Sequence, residues 1–208
     1  MGLNAKIIYD LAEKFDITTI KELCMIEMKL SEAQKQENYK PTKSNRITAL
    51  KNCLGNDENR KMMNYYWIES EKQLFCNGYV VVALNEHVLE FPERPENIDP
   101  PKNMYPMITS AIDNNSNTIK ASEIKSIVQE CIVNNKLRKK ADKKASELPV
   151  IYENFDHKYA WNPLYMDNVI KALGGYDECS ISFNDNNTVP FAIVSKLGSG
   201  LVLPVRIK

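Results

Sequence analysis

Catalysis needs a proton carrier, a nucleophile or a bound metal, and this sequence is sparing with all three. Its 208 residues include two histidines, His87 and His157. Neither belongs to an H-E-x-x-H motif, and no cysteine stands at a spacing that would pair with them. Donors gather in one place, the stretch YENFDHKYAWN, which brings Glu153, Asp156 and His157 close in sequence to Asp167. Carboxylates with an imidazole can hold a divalent metal. Here Glu153 and Asp156 precede the helix expected from Pro163, so no pairing at helical spacing results. GGYDE and LGSGL lack the G-x-x-x-x-G-K-[ST] phosphate loop. The residues therefore predict a protein that is not an enzyme and takes no cofactor or metal. A metal-dependent enzyme on an unrelated α+β scaffold is the third of three functional readings.

Binding chemistry is better represented. KLRKKADKK concentrates Lys136, Arg138, Lys139, Lys140, Lys143 and Lys144 in nine residues. In a helix, Lys136, Lys139, Lys140, Lys143 and Lys144 share one side through i, i+3 and i+4 spacing. Arg138 flanks them and Asp142 interrupts. Such a face either tracks phosphates through salt-sensitive contacts or is simply solvated. The whole chain gives no bias, because 27 Lys and Arg balance 27 Asp and Glu. YYW (Tyr65 to Trp67) could stack bases, although aromatics in an expected strand also fit a core.

The elements that must position these groups follow from patterning. Residues 4–36 read as two helices, the second opened by a Thr19–Glu22 capping box. They fit a packing or oligomerisation hairpin better than a DNA reader, and a polar linker runs on to residue 42. Residues 43–208 read as one α+β domain. SNRITALKNCLG forms a helix in which Ser44 caps and Gly55 takes the left-handed end position. Three strands follow, with turns at Ser70–Lys72 and Asn77-Gly78. After a Pro-rich crossing, an insertion over 101–148 is helical from Ser122 to Leu148, with a break at Asn134-Asn135. NPLYMDNVIKALGG then gives a helix capped by Asn162, with Pro163 at its first position and Gly174 at its end. Strands ECSISF, PFAIVS and LVLPVRI follow, the last after a turn at Gly198–Gly200. Leu201, Leu203, Val205 and Ile207 alternate as one buried face, and Pro204 demands an unpaired N–H position.

Shifted by 119 positions, Ile47, Leu50, Cys53, Leu54 and Gly55 fall on Met166, Val169, Ala172, Leu173 and Gly174. Helix plus three strands thus occurs twice, over 44–91 and 149–208. Neither half can bury its apolar face alone, so the two should share one core. The five cysteines (Cys24, Cys53, Cys76, Cys131, Cys179) form no C-x-x-C pair and read as reduced core residues. No apolar run approaches the roughly 20 residues of a membrane span. The first residues carry Asp10, Glu13 and Asp16 where a secretory signal needs apolar ones. A cytoplasmic protein without a membrane partner is expected.

WNPLYMDNVIKALGG, SISFND, VPFAIVS and the terminal LVLPVRI together resemble the final module of the bacterial DNA polymerase sliding clamp, the β subunit of the replicase. ENRKMMNYYWIESEKQLFCNGYVVVAL resembles an earlier clamp segment that ends in a threonine-aspartate-glycine-histidine-arginine motif. Residues 76–80 occupy that place and retain only Gly78. The resemblance covers about half the chain and implies a DNA-clamp-like fold, with sheets outside and helices lining a central hole. It points to a divergent relative with one clamp-like module rather than to the replicative clamp itself. The implied function is non-catalytic, DNA-associated or replication-associated binding of the processivity type. The alternative is a protein–protein adaptor that keeps the fold without touching DNA. The implied partners are duplex DNA, replication or repair proteins and further copies of the chain, since one module closes a ring only as an oligomer. Arg46, Lys51 and Lys171 would stand on helix faces turned toward the duplex. Leu201, Leu203, Pro204, Val205 and Arg206 match the motif that contributes to the family's peptide pocket.

Overall fold

The structure is a computed structural model describing residues 43–91, 94–154, 157–186 and 188–206. The helices expected over 4–36, their capping box and the linker lie outside the described residues. All the described elements belong to one compact unit.

The first half begins with α1 (Lys43–Asn52), passes through a 3-10 segment (Glu58–Asn64) and forms β1 (Trp67–Glu69), β2 (Lys72–Cys76) and β3 (Val80–Leu84). Its hairpin signals hold. Ser70 and Glu71 have φ of 51° and 62°, the left-handed pair that a two-residue turn between twisted strands requires. Asn77 Oδ1 accepts from the N–H groups of Tyr79 and Val80, which fixes the next turn. The second half carries α4 (Pro163–Ala172), β7 (Ser180–Phe183), β8 (Phe191–Ser195) and β9 (Gly198–Val202). Asn162 caps α4 by accepting from Leu164 and Tyr165, with Pro163 directly after it.

The halves join strand to strand. One antiparallel sheet runs β1-β2-β3-β9-β8-β7 and ends on β4 (Asn117–Lys120). The β3–β9 ladder pairs Val80 with Val202 and Leu84 with Gly198. Trp67 and Phe183 therefore lie in one sheet. On one face, α1, α4 and α3 (Ala121–Ala141) share a continuous core with Phe75, Val82, Ile181, Phe183 and Phe191. The repeat positions carry that core: Leu50, Cys53, Met166, Val169, Ala172 and Leu173 are all buried. Gly200 permits the close approach of α4, since a Cβ there would meet Val169 Cγ1 and the Val81 carbonyl at 2.8 Å.

The opposite face is also covered. Leu74, Val81, Ala83, Ala192 and Leu201 pack beneath α2 (Met104–Asn114) through Ile108 and Ala111. The unbroken VVVAL of β3 thus reads as a strand buried on both sides. Glu69 fixes α2 in place by accepting from the Met104 and Tyr105 N–H groups at its start. A hairpin of β5 (Val150–Asn154) and β6 (His157–Trp161) completes the fold. Its aromatics seat it on the sheet, with Tyr159 4.6 Å from Phe183 and Trp161 5.2 Å from Phe191.

Several sequence expectations are corrected. The insertion is not wholly helical, because β4 within it extends the sheet. α3 is unbroken at Asn134-Asn135 but ends at Ala141, short of the expected Leu148. Asn135 is buried and holds the returning chain, donating to the Leu148 carbonyl and accepting its N–H, both at 2.9 Å. Ser44 lies inside α1, which already includes Lys43. Gly55 is not left-handed; Gly174, at φ 111°, is. Gly198 and Gly200 belong to β9, and the turn falls at 196–197.

The terminal strand is shorter than its alternation predicts. After Val202 the chain leaves β8, and Leu203 donates to the Tyr79 carbonyl. Pro204 bridges Trp161, and Val205 donates to Ala160. With no N–H to give, Pro204 ends the ladder, and the chain crosses to β6. Leu203 and Val205 are consequently 39% and 37% exposed, not members of a buried face. Ile207 lies outside the described residues.

Candidate nucleic-acid and partner interfaces

The cationic run divides where α3 ends. Lys136, Arg138, Lys139 and Lys140 are on the helix and exposed, whereas Lys143 and Lys144 lie in the turn beyond it. Asp142 makes that turn, its Oδ1 accepting from the Lys144 N–H. The single helical face expected across all of them is therefore a helix end followed by a basic turn. Lys139 is engaged by Glu147 at 2.5 Å. Glu147 also accepts from Asn162 Nδ2, which ties the turn to the start of α4. The hydrogen bond from Lys139 holds the Glu147 carboxyl below its usual range, with burial opposing and Asn162 assisting.

The three cations expected on α1 and α4 have different fates. Arg46 Nε donates to the Ala172 carbonyl at 2.9 Å, joining α1 to the end of α4. Burial lowers its pKa, opposed by Glu86 and Glu90. Lys171 pairs with Asp167 at 2.6 Å, and Asp167 also accepts from the Tyr176 hydroxyl at 3.1 Å. Lys51 stays exposed at the last turn of α1. The fold thus uses Arg46 to join two helices and Lys171 to pair with a carboxylate of its own helix.

Of the five terminal residues, Leu201 alone lines a groove. It does so beneath α2, in a groove of about 370 Å³ shared with Pro106, Met107 and Pro190. Leu203 donates its N–H to the carbonyl of Tyr79, a residue that lines a second groove. There Tyr79 stacks on Tyr165 at 5.3 Å and 15°, and the two line a groove of about 250 Å³ with Leu54, Asp57, Arg60 and Met63. Pro204 is half-buried and Arg206 exposed. The sequence reading missed Arg60, Tyr79 and Tyr165. Their available signal was the position of Tyr79 directly after the retained Gly78.

The carboxylate and histidine stretch is dispersed. Glu153 pairs with Lys158 across the hairpin at 2.7 Å, and His157 is exposed opposite Asn154. Asp167 faces Tyr176 and Lys171 instead, and Asp156 lies outside the described residues. Among the described residues, no three His, Cys, Asp or Glu side chains converge as metal ligands. No described helix is long and apolar enough to cross a membrane.

No family model and no curated protein matches the sequence. Solved structures do match. The DNA polymerase III β subunit of Thermotoga maritima aligns at 12% identity and a TM-score of 0.50, covering 78% of this chain and 63% of that one. The DNA polymerase sliding clamp of Bacillus subtilis aligns at 13% identity and a TM-score of 0.51, covering 78% and 62%. The chain spans under two thirds of the length of the clamps that it matches. At such identity the likeness speaks for the fold alone, and it agrees with the paired helix-and-sheet halves joined through β3 and β9. This chain has a sliding-clamp-like α+β fold.

Proposed function

We propose that this chain is a non-catalytic, clamp-fold binding protein that associates with DNA or with replication or repair proteins. The observation that carries this reading is the clamp-like helix layer with an exposed cationic cluster at one end of it: Arg138, Lys140, Lys143 and Lys144, with Lys136 beside them. Five phosphate contacts would give log K a slope against log salt of about −4 to −5 on duplex. Such contacts position a protein without reading sequence.

The test is fluorescence anisotropy of the full chain with a 30-bp duplex across a salt series. The reading expects steep salt dependence, and affinity falling at least tenfold in R138E/K143E/K144E. Binding that is absent, or indifferent to those charges, removes it. The adaptor reading has its own support, because Arg46, Lys139 and Lys171 are engaged within the fold. It gains if duplex binding is absent while a protein partner competes for the groove at Tyr79 and Tyr165. Oligomeric state bears on encirclement: a monomer by light scattering at high concentration would exclude a ring assembled from copies of this chain.

A further inference from the structure

The outer side of α3 carries more than charge. Its inner side packs Ile124 and Val128 into the core and buries Asn135. A helix advances about 100° per residue, so Val133, Leu137 and Lys140 lie on the side opposite Asn135, with Lys136 at its edge. Val133 is 54% exposed and Leu137 57% exposed, and Lys136 and Lys140 are exposed with them. Isolated exposed aliphatics are ordinary on protein surfaces. Two of them at i, i+4, set between lysines at i+3 and i+7, form a continuous stripe about 10 Å long.

We propose that this stripe docks an acidic amphipathic peptide segment of a protein partner. Both components of the stripe specify the chemistry. Lys136 and Lys140 favour carboxylates, while Val133 and Leu137 gain only from covering by apolar side chains. A phosphate backbone would satisfy the lysines and leave the aliphatics in water. A helix that alternates acidic residues with leucine-type residues at i, i+3 or i+4 satisfies all four. The stripe shares Lys136 and Lys140 with the cationic cluster of the preceding reading, but Val133 and Leu137 are its own, so the proposal does not depend on duplex binding.

The experiment selects a display library of random 16-residue peptides against the full chain. The expected outcome is a consensus of Glu or Asp interspersed with Leu, Ile or Phe at helical spacing. The synthetic consensus peptide should bind about tenfold more weakly to V133S/L137S and to K136E/K140E. Those four side chains are exposed, so circular dichroism should be unchanged in both variants. The 30-bp duplex should bind V133S/L137S as it binds the parent. Absence of an acidic–apolar consensus, or peptide binding indifferent to V133S/L137S, overturns the proposal. Loss of duplex binding in V133S/L137S would assign the stripe to nucleic acid and overturn it equally. Peptide binding with no duplex binding retains this proposal and removes the duplex reading.

Discussion

The two halves carry the same apolar pattern, yet their helices live in different surroundings. α4 lies between α1 and α3 over the sheet, and Met166, Val169, Ile170 and Leu173 are wholly buried. α1 has α4 on one side only, and Ile47 and Leu54, which correspond to Met166 and Leu173, remain half-buried. The polar positions diverge more. Asp167 and Lys171 of α4 make a pair with Tyr176, whereas the corresponding Thr48 and Asn52 of α1 are exposed. A repeated pattern therefore specifies which side of a helix goes inward. The helix's place in the layer sets how deep that side goes, and whether a charge beside it needs a partner.

Leu54 and Leu173 offer the sharpest test, being the same residue at the same repeat position. Leu173→Ala should cost about 2–5 kcal/mol, the range for emptying a packed site. Leu54→Ala, at the wall of the Tyr79–Tyr165 groove, should cost about 1 kcal/mol, since less area returns to water. Urea unfolding measures both, and equal losses would break the asymmetry.

The polar centre of α4 makes a second distinction. Burial first, then Asp167 nearby, raises the Tyr176 hydroxyl far above its usual value of 10.0. Above about pH 10 the unfolded chain releases this proton while the folded chain retains it. Stability should fall as pH rises there, because the folded state binds more protons. Tyr176→Phe should cost about 1–2 kcal/mol at neutral pH through the lost hydrogen bond to Asp167, and should make the alkaline decline shallower. An unchanged alkaline slope would mean that the hydroxyl is not the group responsible.

The smallest effect concerns the link from the basic turn to the start of α4. Glu147 accepts from Lys139 and from Asn162. Lys139 is half exposed, so solvent screening limits the pair to about 0.2–1 kcal/mol. With its pKa lowered in the fold, Glu147 stabilises above its unfolded value and loses that contribution as pH falls. Glu147→Gln should shift the thermal midpoint slightly at pH 7 and not at all near pH 2. A shift retained at acid pH would show that packing, not charge, was measured.

Much of the fold was legible because it is local. The Asn162 cap with Pro163, the turn at Ser70 and Glu71, and the apolar stripes of α1 and α4 each involve residues within a few positions of one another. α2 was hidden in a Pro-rich stretch, although its Ile108 and Ala111 face the sheet. β4 and the β5–β6 hairpin were missed because NTIK is only half-buried and HKYAW lacks alternation: its last three residues are all buried. The binding surfaces were less legible than the elements. Charge type is visible in a sequence, but its employment is not: Arg46 reaches Ala172 across 126 positions.

The sequence by itself determined two helix-and-hairpin units and the inward faces of their helices, since hydrophobic period and turn chemistry act over short stretches. Only the tertiary structure decided that α2 covers the back of the sheet, that Pro204 sends the chain across to β6, and that Lys171 serves Asp167. It likewise left Val133 and Leu137 in water beside Lys136 and Lys140. These outcomes depend on which distant surfaces meet, and burial assigns a cost to an unpaired charge only once the neighbours are in place.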